Sequence, residues 1–516
     1  MRLVRGFDRW INRGSFTSRD LGIFRIICAT LLIATQQPIT WISEFPSSLL
    51  RPPVGPFQLV TAIPPVAFFD VLSLAIVVAT VLMGIGLFTR WASIAVTALH
   101  LFAMGYAYSF GKIDHSIILV IAPLILSFAN WGGSISVDAL LRKRDAASVR
   151  QWPVRLLAIS IGISFATAAY AKISTGWLSP NAQTVKGYFL RTYYTSSSHN
   201  GIAELAQSIQ APWLWEVLDW TVVGVEFTLA IAFLSWRLLR IAISLAMFFH
   251  LGVYFLLNID FYGNVIAYGA FVSWGRLIPA RLSRERQRVI APIALVLAGL
   301  VGVWAALEVT DVLVRGIPGL GPLILWVGTI GGAAYLLWWF VRLVRRVHPL
   351  VAFSANSGIA PHRPGALVLR CVVAILVISL PVTLVIKQDI GEPYPALFQP
   401  DFYGPGPLVG ARVISTRPVI TLVFAGGKRL RVDASEVLPS PTDVGAEFDA
   451  AFSIQRRDND IQTRRWLGAR LAKKYSPLVP VEMTVTWVRT KYDHISGQIK
   501  YRTPLKTVTV KFPTEG

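Results

Sequence analysis

The sequence predicts a multi-pass α-helical membrane protein with about eleven transmembrane helices and a small C-terminal extracytoplasmic α+β domain. Of its 516 residues, 54% are hydrophobic and only 15% are charged, and the mean hydropathy is +0.55. Apolar runs long enough to cross a bilayer recur from residue 21 to residue 387. After residue 388 they give way to short alternating segments that are typical of strands. Soluble proteins do not have this composition.

The apolar runs give the order of the membrane helices. Candidate helices cover residues 21–39, 66–88, 92–110, 116–130, 154–172, 215–235, 238–257, 262–275, 289–307, 320–341 and 366–387. The fourth and eighth runs are short, so we expect these helices to be tilted, half-inserted or buried against other helices. No small-residue cleavage site follows the first run, which is therefore expected to remain as an anchor.

Basic residues predict the orientation of the chain. Lys and Arg are concentrated before residue 20, at 90, 142–155, 237–240, 276–288 and 342–346. The alternate loops at 40–65, 111–115, 173–214, 258–261 and 308–319 contain few of them. By the positive-inside rule, the first set faces the cytoplasm and the second set faces outward across the plasma membrane. The N-terminus is then cytoplasmic and the C-terminal domain extracytoplasmic.

The domain limits follow from the same pattern. We expect a first membrane domain at 1–280, additional transmembrane helices at 281–387 and the α+β domain at 388–516. A proline-rich connector at 391–410 cannot be helical. ARVIST, PVITLVF, KRLRV, PVEMTVTWV and KTVTVKF have strand composition, with a hairpin turn at Gly426-Gly427, and residues 446–475 have helical spacing. The basic second half of that helix is either a solvated face or a contact with anionic lipid headgroups.

Composition and motifs exclude several functions. The net charge of +21 does not indicate nucleic-acid binding, because no basic stripe is interleaved with aromatic residues. Cys28 and Cys371 both lie in apolar runs, so neither a disulfide framework nor a cysteine metal site is predicted. The sequence also contains no HExxH motif, P-loop, strand-linked GxGxxG or GxSxG elbow. We expect no metal and no nucleic-acid partner.

The candidate site centres on Lys172, which follows the long apolar run VRLLAISIGISFATAAYA. One interpretation is a snorkelling lysine whose ammonium reaches the lipid headgroups. The other is a partly desolvated amine that acts as a base. Glu226, His115 and His250 fall at outer or middle depth on other predicted helices. Each taken alone fits helix-helix hydrogen bonding, but together they predict a polar cavity that opens outward.

Three stretches together resemble a known family. They are Ile113-Asp114-His115 followed by Ser136-Val137-Asp138, then Tyr170-Ala171-Lys172 with Trp177 five positions on, and finally Phe249-His250 with Asn258. Their order and separations are similar to the membrane domain of the vitamin K-dependent gamma-carboxylases and of the wider bacterial HTTM family. The resemblance covers about residues 15–280.

The resemblance implies a role for each residue. Lys172 would be the base for a reduced quinone of the vitamin K or menaquinol type, and His115 and His250 would hydrogen-bond the quinol or an oxyanion. Glu226 would organise the cavity. The remaining expected cofactor-binding residues are Tyr170, Trp177 and Asn258.

Three functions remain open from the sequence. The first is a quinol-dependent membrane enzyme that modifies an exported peptide or protein. The second is a non-catalytic membrane partner or maturation subunit that binds another protein through residues 388–516. The third is a lipid or small-solute carrier, against which the lack of an inverted internal repeat argues.

Overall fold

A computed structural model of the chain describes most of both predicted parts. The described residues are 2–110, 116–142, 149–180, 182–195, 201–277, 317, 319–345, 365–399, 402, 404, 406–410, 412–439, 460–496 and 498–513. His115, the helix expected at 289–307 and the first part of the helix expected at 446–475 lie outside them.

Helices dominate the first three quarters of the chain. They are α1 (Arg2–Ile11), α2 (Ser18–Ala34), α3 (Val66–Ile85), α4 (Thr89–Ala107), α5 (Ile117–Leu126), α6 (Val137–Leu141), α7 (Gln151–Ser174), α8 (Thr184–Thr195), α9 (Gly201–Ser208), α10 (Pro212–Ala232), α11 (Trp236–Leu257), α12 (Tyr262–Tyr268), α13 (Trp274–Leu277), α14 (Leu320–Val344) and α15 (Gly365–Asp389).

Five described helices are long and apolar enough to cross a membrane. They are α3, α7, α11, α14 and most of α15. The multi-pass membrane class is therefore supported, whereas the expected count of about eleven spans is not confirmed. The fourth and eighth runs form helices of only 10 and 7 residues, α5 and α12. At 1.5 Å per residue, neither reaches across a hydrocarbon core of about 30 Å. These two short helices pack against each other.

Helix α7 is the centre of the bundle. It is buried along almost all of its length and packs against α5, α10 and α15. Small residues allow this close packing. A Cβ atom at Gly162 would lie 2.7 Å from Cδ1 of Phe233 and 2.9 Å from the carbonyl oxygen of Ala230 at the end of α10. Only glycine fits here without a shift of the neighbouring helix, so α7 and α10 are held at a fixed separation.

Two buried arginines stabilise the end of the bundle opposite Lys172. Arg25 donates hydrogen bonds to the carbonyl oxygens of Trp131, at 2.8 Å, and of Ile135. Arg155 donates to the carbonyl of Phe233 at 2.7 Å, and its guanidinium lies 3.7 Å from the ring centroid of Trp236. Both side chains therefore satisfy backbone carbonyls, Arg25 in the loop before α6 and Arg155 at the end of α10, which is a structural role.

Asp138, from the Ser-Val-Asp motif, caps a helix. Its carboxylate accepts hydrogen bonds from the backbone N–H groups of Phe88, at 3.0 Å, and Thr89, at 2.8 Å, and from the Thr89 hydroxyl at 2.7 Å. These groups begin α4, where N–H groups have no partner within the helix. The motif therefore joins the segment after α5 to the start of α4.

We expect Asp138→Ala to lower the free energy of unfolding by about 1–2 kcal/mol, because the first turn of α4 loses its cap. Thermal or denaturant unfolding of the purified protein in detergent measures the change. Asp138→Asn keeps an acceptor oxygen and should cost less. Equal stability of wild type and Asp138→Ala would contradict the capping role.

The C-terminal part forms one antiparallel sheet with a helix packed on it. Its strands are β1 (Leu408–Val409), β2 (Arg412–Phe424), β3 (Arg429–Val432), β4 (Pro480–Asp493) and β5 (Ile499–Lys511), in the order β1-β2-β4-β5 with β3 also paired to β2. Two further helices are α16 (Ala434–Val437) and α17 (Ile461–Tyr475). Leu467 and Leu471 of α17 are buried with Met483 and Val485 of the sheet.

One detail of the sheet differs from the sequence expectation. ARVIST and PVITLVF are not two strands, because residues 412–424 form the single strand β2, opposite β4. Pro418, at the expected break, pairs with Trp487 on one side. On its other side, Pro418 has no strand partner among the described residues, because β1 pairs with β2 before this residue and β3 pairs with β2 after it. The missing N–H of proline thus costs no ladder hydrogen bond there.

The sheet domain lies on the end of the bundle that carries the loops poor in basic residues. Trp466 of α17 donates from its indole nitrogen to the carbonyl of Glu44 at 2.6 Å, and Arg470 forms a 2.8 Å ion pair with the Glu44 side chain. Tyr492 of β4 stacks on Tyr194 of α8, with ring centroids 5.0 Å apart. Loops 40–65 and 173–214 therefore share one end of the molecule with the sheet domain.

Candidate functional site

Lys172 and Glu226 form a buried ion pair between α7 and α10. The Lys172 Nζ atom lies 2.8 Å from Oε1 of Glu226. Lys172 is only 2% exposed and Glu226 only 4%. A snorkelling lysine would keep its ammonium in contact with headgroups or water. The snorkelling interpretation is therefore wrong for this conformation, and the amine is directed into the protein.

The spacing between Lys172 and Trp177 has a structural cause. The N–H of Trp177 donates to the carbonyl of Lys172 at 3.2 Å, and Gly176 between them has φ +87°. This is the Schellman ending of a helix, in which a glycine in the left-handed region turns the chain back over the last turn. It brings the Trp177 ring to 5.3 Å from Nζ of Lys172. Trp177 is buried, and its indole nitrogen donates to the Phe402 carbonyl at 3.1 Å.

His250 belongs to a second buried group beside the ion pair. Its Nε2 atom lies 3.1 Å from the hydroxyl of Tyr268, and either atom can donate. The imidazole is stacked between Phe261 and Tyr268, with centroid distances of 4.8 and 5.8 Å. Tyr268 in turn lies within electrostatic range of Glu226. His250 and Tyr268 thus form a buried pair near the negative charge of Glu226.

The connector after α15 completes the site. The backbone N–H of Gln399 donates to Oγ1 of Thr167 on α7 at 3.2 Å, and its side-chain amide lies 3.5 Å from Oδ1 of Asn264 on α12. Gln399, Thr167 and Asn264 are all buried. Nδ2 of Asn264 and Oγ of Ser164 have no hydrogen-bond partner among the residues that the structure describes. Such atoms are uncommon in folded proteins and mark a place where a ligand oxygen or water would be stabilised.

The same connector is fixed to the outer loops. The N–H of Tyr394 donates to the carbonyl of Val54 at 2.7 Å, and its hydroxyl donates to the carbonyl of Leu101. Tyr394 and Phe398 are both buried. Gly55, beside Val54, has φ +132°, and a Cβ atom there would lie 2.4 Å from the Tyr394 carbonyl oxygen. The connector is therefore packed closely against the loop at 40–65 and against α4.

The structure brings together four of the residues expected at the site and separates two others. Lys172 contacts both Glu226 and Trp177, and His250 contacts Tyr268, which lies within electrostatic range of Glu226. Tyr170 is 55% exposed, because two residues along a helix rotate a side chain by about 200° away from Lys172. Asn258 is exposed and ends α11 in the left-handed conformation, with φ 55°.

Sequence reasoning missed Tyr268, Thr167, Asn264 and Gln399. A signal existed for Tyr268 and Asn264, since they are four residues apart and lie on one helix face. No local pattern could have indicated Gln399, which reaches the site from a different part of the chain.

The site defines a class of protein: an integral membrane protein with a buried acid–base pair and aromatic walls at one end of its helix bundle. The HTTM domain family model matches residues 15–272, half of the chain, and the chain belongs to this family. This membership confirms the resemblance stated from the three motifs, and it is consistent with a relation to the vitamin K-dependent carboxylases. Comparison with curated proteins and with solved structures returned no match.

Proposed function

We propose that the protein is a membrane enzyme in which the Lys172–Glu226 pair deprotonates a reduced lipid quinone, and that this chemistry serves the modification of an exported peptide or protein. The observation that carries the proposal is the 2.8 Å contact between the amine and the carboxylate in a buried position. Buried ion pairs are costly to desolvate, and inside a membrane they are a default indication of function.

The residues present fit a flat, lipid-soluble phenol. Trp177 lies beside the Lys172 ammonium and supplies an aromatic wall, and Asn264 offers a buried amide donor that no described residue accepts from. In our proposal, Trp177 contacts the quinone ring and the amide of Asn264 orients one of its oxygens. When bound, a reduced quinone supplies an acidic O–H group and reducing electrons.

The Lys172–Glu226 pair can accept a proton from the quinol, because the positive charge that results stays next to a negative one. When Glu226 carries the proton they share, Lys172 is a neutral amine and can act as a base. Taking up one further proton leaves an ammonium beside a neutral carboxylic acid, so the pair then carries one positive charge. That positive charge lies next to the quinol anion that forms when the proton leaves. In a low-dielectric site, the attraction between the two charges favours the proton transfer.

The proposed orientation follows from the distribution of basic residues. The site and the sheet domain would face outward, and the N-terminus would face the cytoplasm. An exported substrate would then reach the site from the side on which the sheet domain lies. The plasma membrane remains part of this proposal.

An anaerobic binding experiment tests the proposal without turnover. Wild-type protein in lipid nanodiscs, titrated with a reduced naphthoquinone, should give the red-shifted ultraviolet band of a phenolate at a pH where the free quinol is protonated. Lys172→Met should abolish the band, because no amine remains to take the proton. Lys428→Met, which removes an exposed lysine at a distant turn, should leave the band unchanged. A band of equal size in Lys172→Met would rule out the assigned base.

A further inference from the structure

A second polar site lies where the bundle meets the sheet domain. A cleft of about 320 Å³ opens between the start of α8, the segment before α10 and the end of β4. Its polar lining includes Lys186, His494, Gln183 and Gln210, and Pro212 forms part of its edge. None of these residues belongs to the Lys172 site, so the proposed quinone chemistry gives the cleft no role.

Lys186 is the unexplained group in this cleft. It is only 4% exposed, and it forms no hydrogen bond or ion pair with the residues that the structure describes. Two carboxylates, one near the backbone just before Lys186 and one next to His494 in the chain, are engaged elsewhere. Asp219 accepts from the backbone N–H groups of Thr184 and Val185 at 2.8 and 2.7 Å, and Asp493 lies 3.4 Å from Lys500. A buried ammonium without an anion is costly, so the cleft favours an anionic ligand.

His494 supplies a second side chain in the cleft that can donate a hydrogen bond to an anion. Burial and the neighbouring Lys186 lower its pKa, and burial lowers the pKa of Lys186 as well. A shared anion would favour the protonated form of both groups. The amides of Gln183 and Gln210 supply further donors at the same place. This combination suits the oxygens of a phosphate group.

The position of the cleft indicates where the phosphate comes from. Pro212 starts α10, and from Trp213 onward this helix exposes an apolar stripe. The stripe consists of Trp213, Val217, Trp220, Phe227 and Ile231. The period of three or four residues places these side chains on one face, as for a helix that contacts acyl chains. Tryptophans at the start of such a stripe are typical of the headgroup level of a bilayer.

We propose that this cleft binds the phosphate headgroup of an anionic membrane lipid, with its acyl chains along the exposed face of α10. Lys186 and His494 contact the phosphate oxygens. The bound lipid fills the junction between α8, α10 and the sheet domain and holds these parts together at the membrane surface.

Native mass spectrometry of the full chain with lipids of matched acyl chains tests this site. Wild type should retain phosphatidylglycerol about ten-fold more strongly than phosphatidylcholine, the effect of about one charge-assisted hydrogen bond. Lys186→Met should lose this preference, and Lys186→Arg should keep most of it. Lys428→Met makes the same change of net charge at an exposed position and should behave as wild type.

Two outcomes would overturn the assignment. Equal retention of the two lipids by wild type would exclude a site for an anionic lipid, and this comparison needs no variant. Displacement of phosphatidylglycerol by millimolar inorganic phosphate, while phosphate itself remains bound, would assign the cleft to free phosphate. Should Lys186→Met fail to fold, His494→Gln gives the same comparison, and an unchanged preference in that variant would count against the site.

Discussion

Replacing Lys172 by methionine is expected to lower the rate at which the reconstituted protein consumes reduced quinone in air by about 10²- to 10⁴-fold, the usual contribution of a general base. Methionine preserves much of the side-chain volume between α7 and α10 but cannot accept a proton. The rate is measured from the loss of quinol absorbance in nanodiscs. Lys428→Met serves as the control, since that residue lies at an exposed turn of the sheet domain.

Lys172→Arg separates the positive charge of Lys172 from its ability to lose and accept a proton. Arginine keeps a positive charge opposite Glu226, but its guanidinium does not lose its proton in proteins. We expect this variant to fold and to be as inactive as Lys172→Met. Wild-type turnover by Lys172→Arg would show that the pair has only a structural role.

The second large effect concerns stability. Lys172→Met leaves the Glu226 carboxylate buried and unneutralised by its ion-pair partner, and we expect it to lower the free energy of unfolding by about 3–5 kcal/mol. Glu226→Met should cost a similar amount. The double variant replaces the pair by two apolar side chains of similar volume and should recover most of this loss. Denaturant unfolding of the three variants in one detergent gives the coupling energy.

Additive losses in this cycle would contradict the geometry of the site, because two side chains 2.8 Å apart must be strongly coupled. The double variant also provides a check on the proposed chemistry. It should be stable and inactive, since it lacks both proton-accepting groups. A stable, active double variant would leave the ion pair without a catalytic function.

The sequence was informative about which residues matter and less so about where they meet. Ionisable residues in apolar runs are costly, and this rule alone selected Lys172, Glu226 and His250. Their depth could not be predicted, since Lys172 lies in the last turn of α7 while Glu226 lies well inside α10. Helical periodicity could have excluded Tyr170, which is on the opposite face from Lys172.

An apolar run in the sequence does not by itself establish a membrane-spanning helix. Residues 116–130 and 262–275 contain enough apolar residues to suggest membrane helices, but α5 and α12 end after 10 and 7 residues. Both are followed by short 3-10 turns, at Ser127–Ala129 and Gly269–Phe271. Burial against neighbouring helices and insertion into lipid require the same side chains, so composition does not distinguish them.

The connector that carries Tyr394 and Gln399 bears on how the protein can be divided. The same connector includes Phe402, whose carbonyl accepts from Trp177 beside Lys172, so cutting the chain after α15 removes this support of the site together with the sheet domain. A helix bundle expressed without its tail would lack the partner that fixes the Trp177 ring beside the amine. Loss of function on deleting the tail would then not identify the sheet as a receptor for another protein, and only cuts downstream of residue 410 can answer that question.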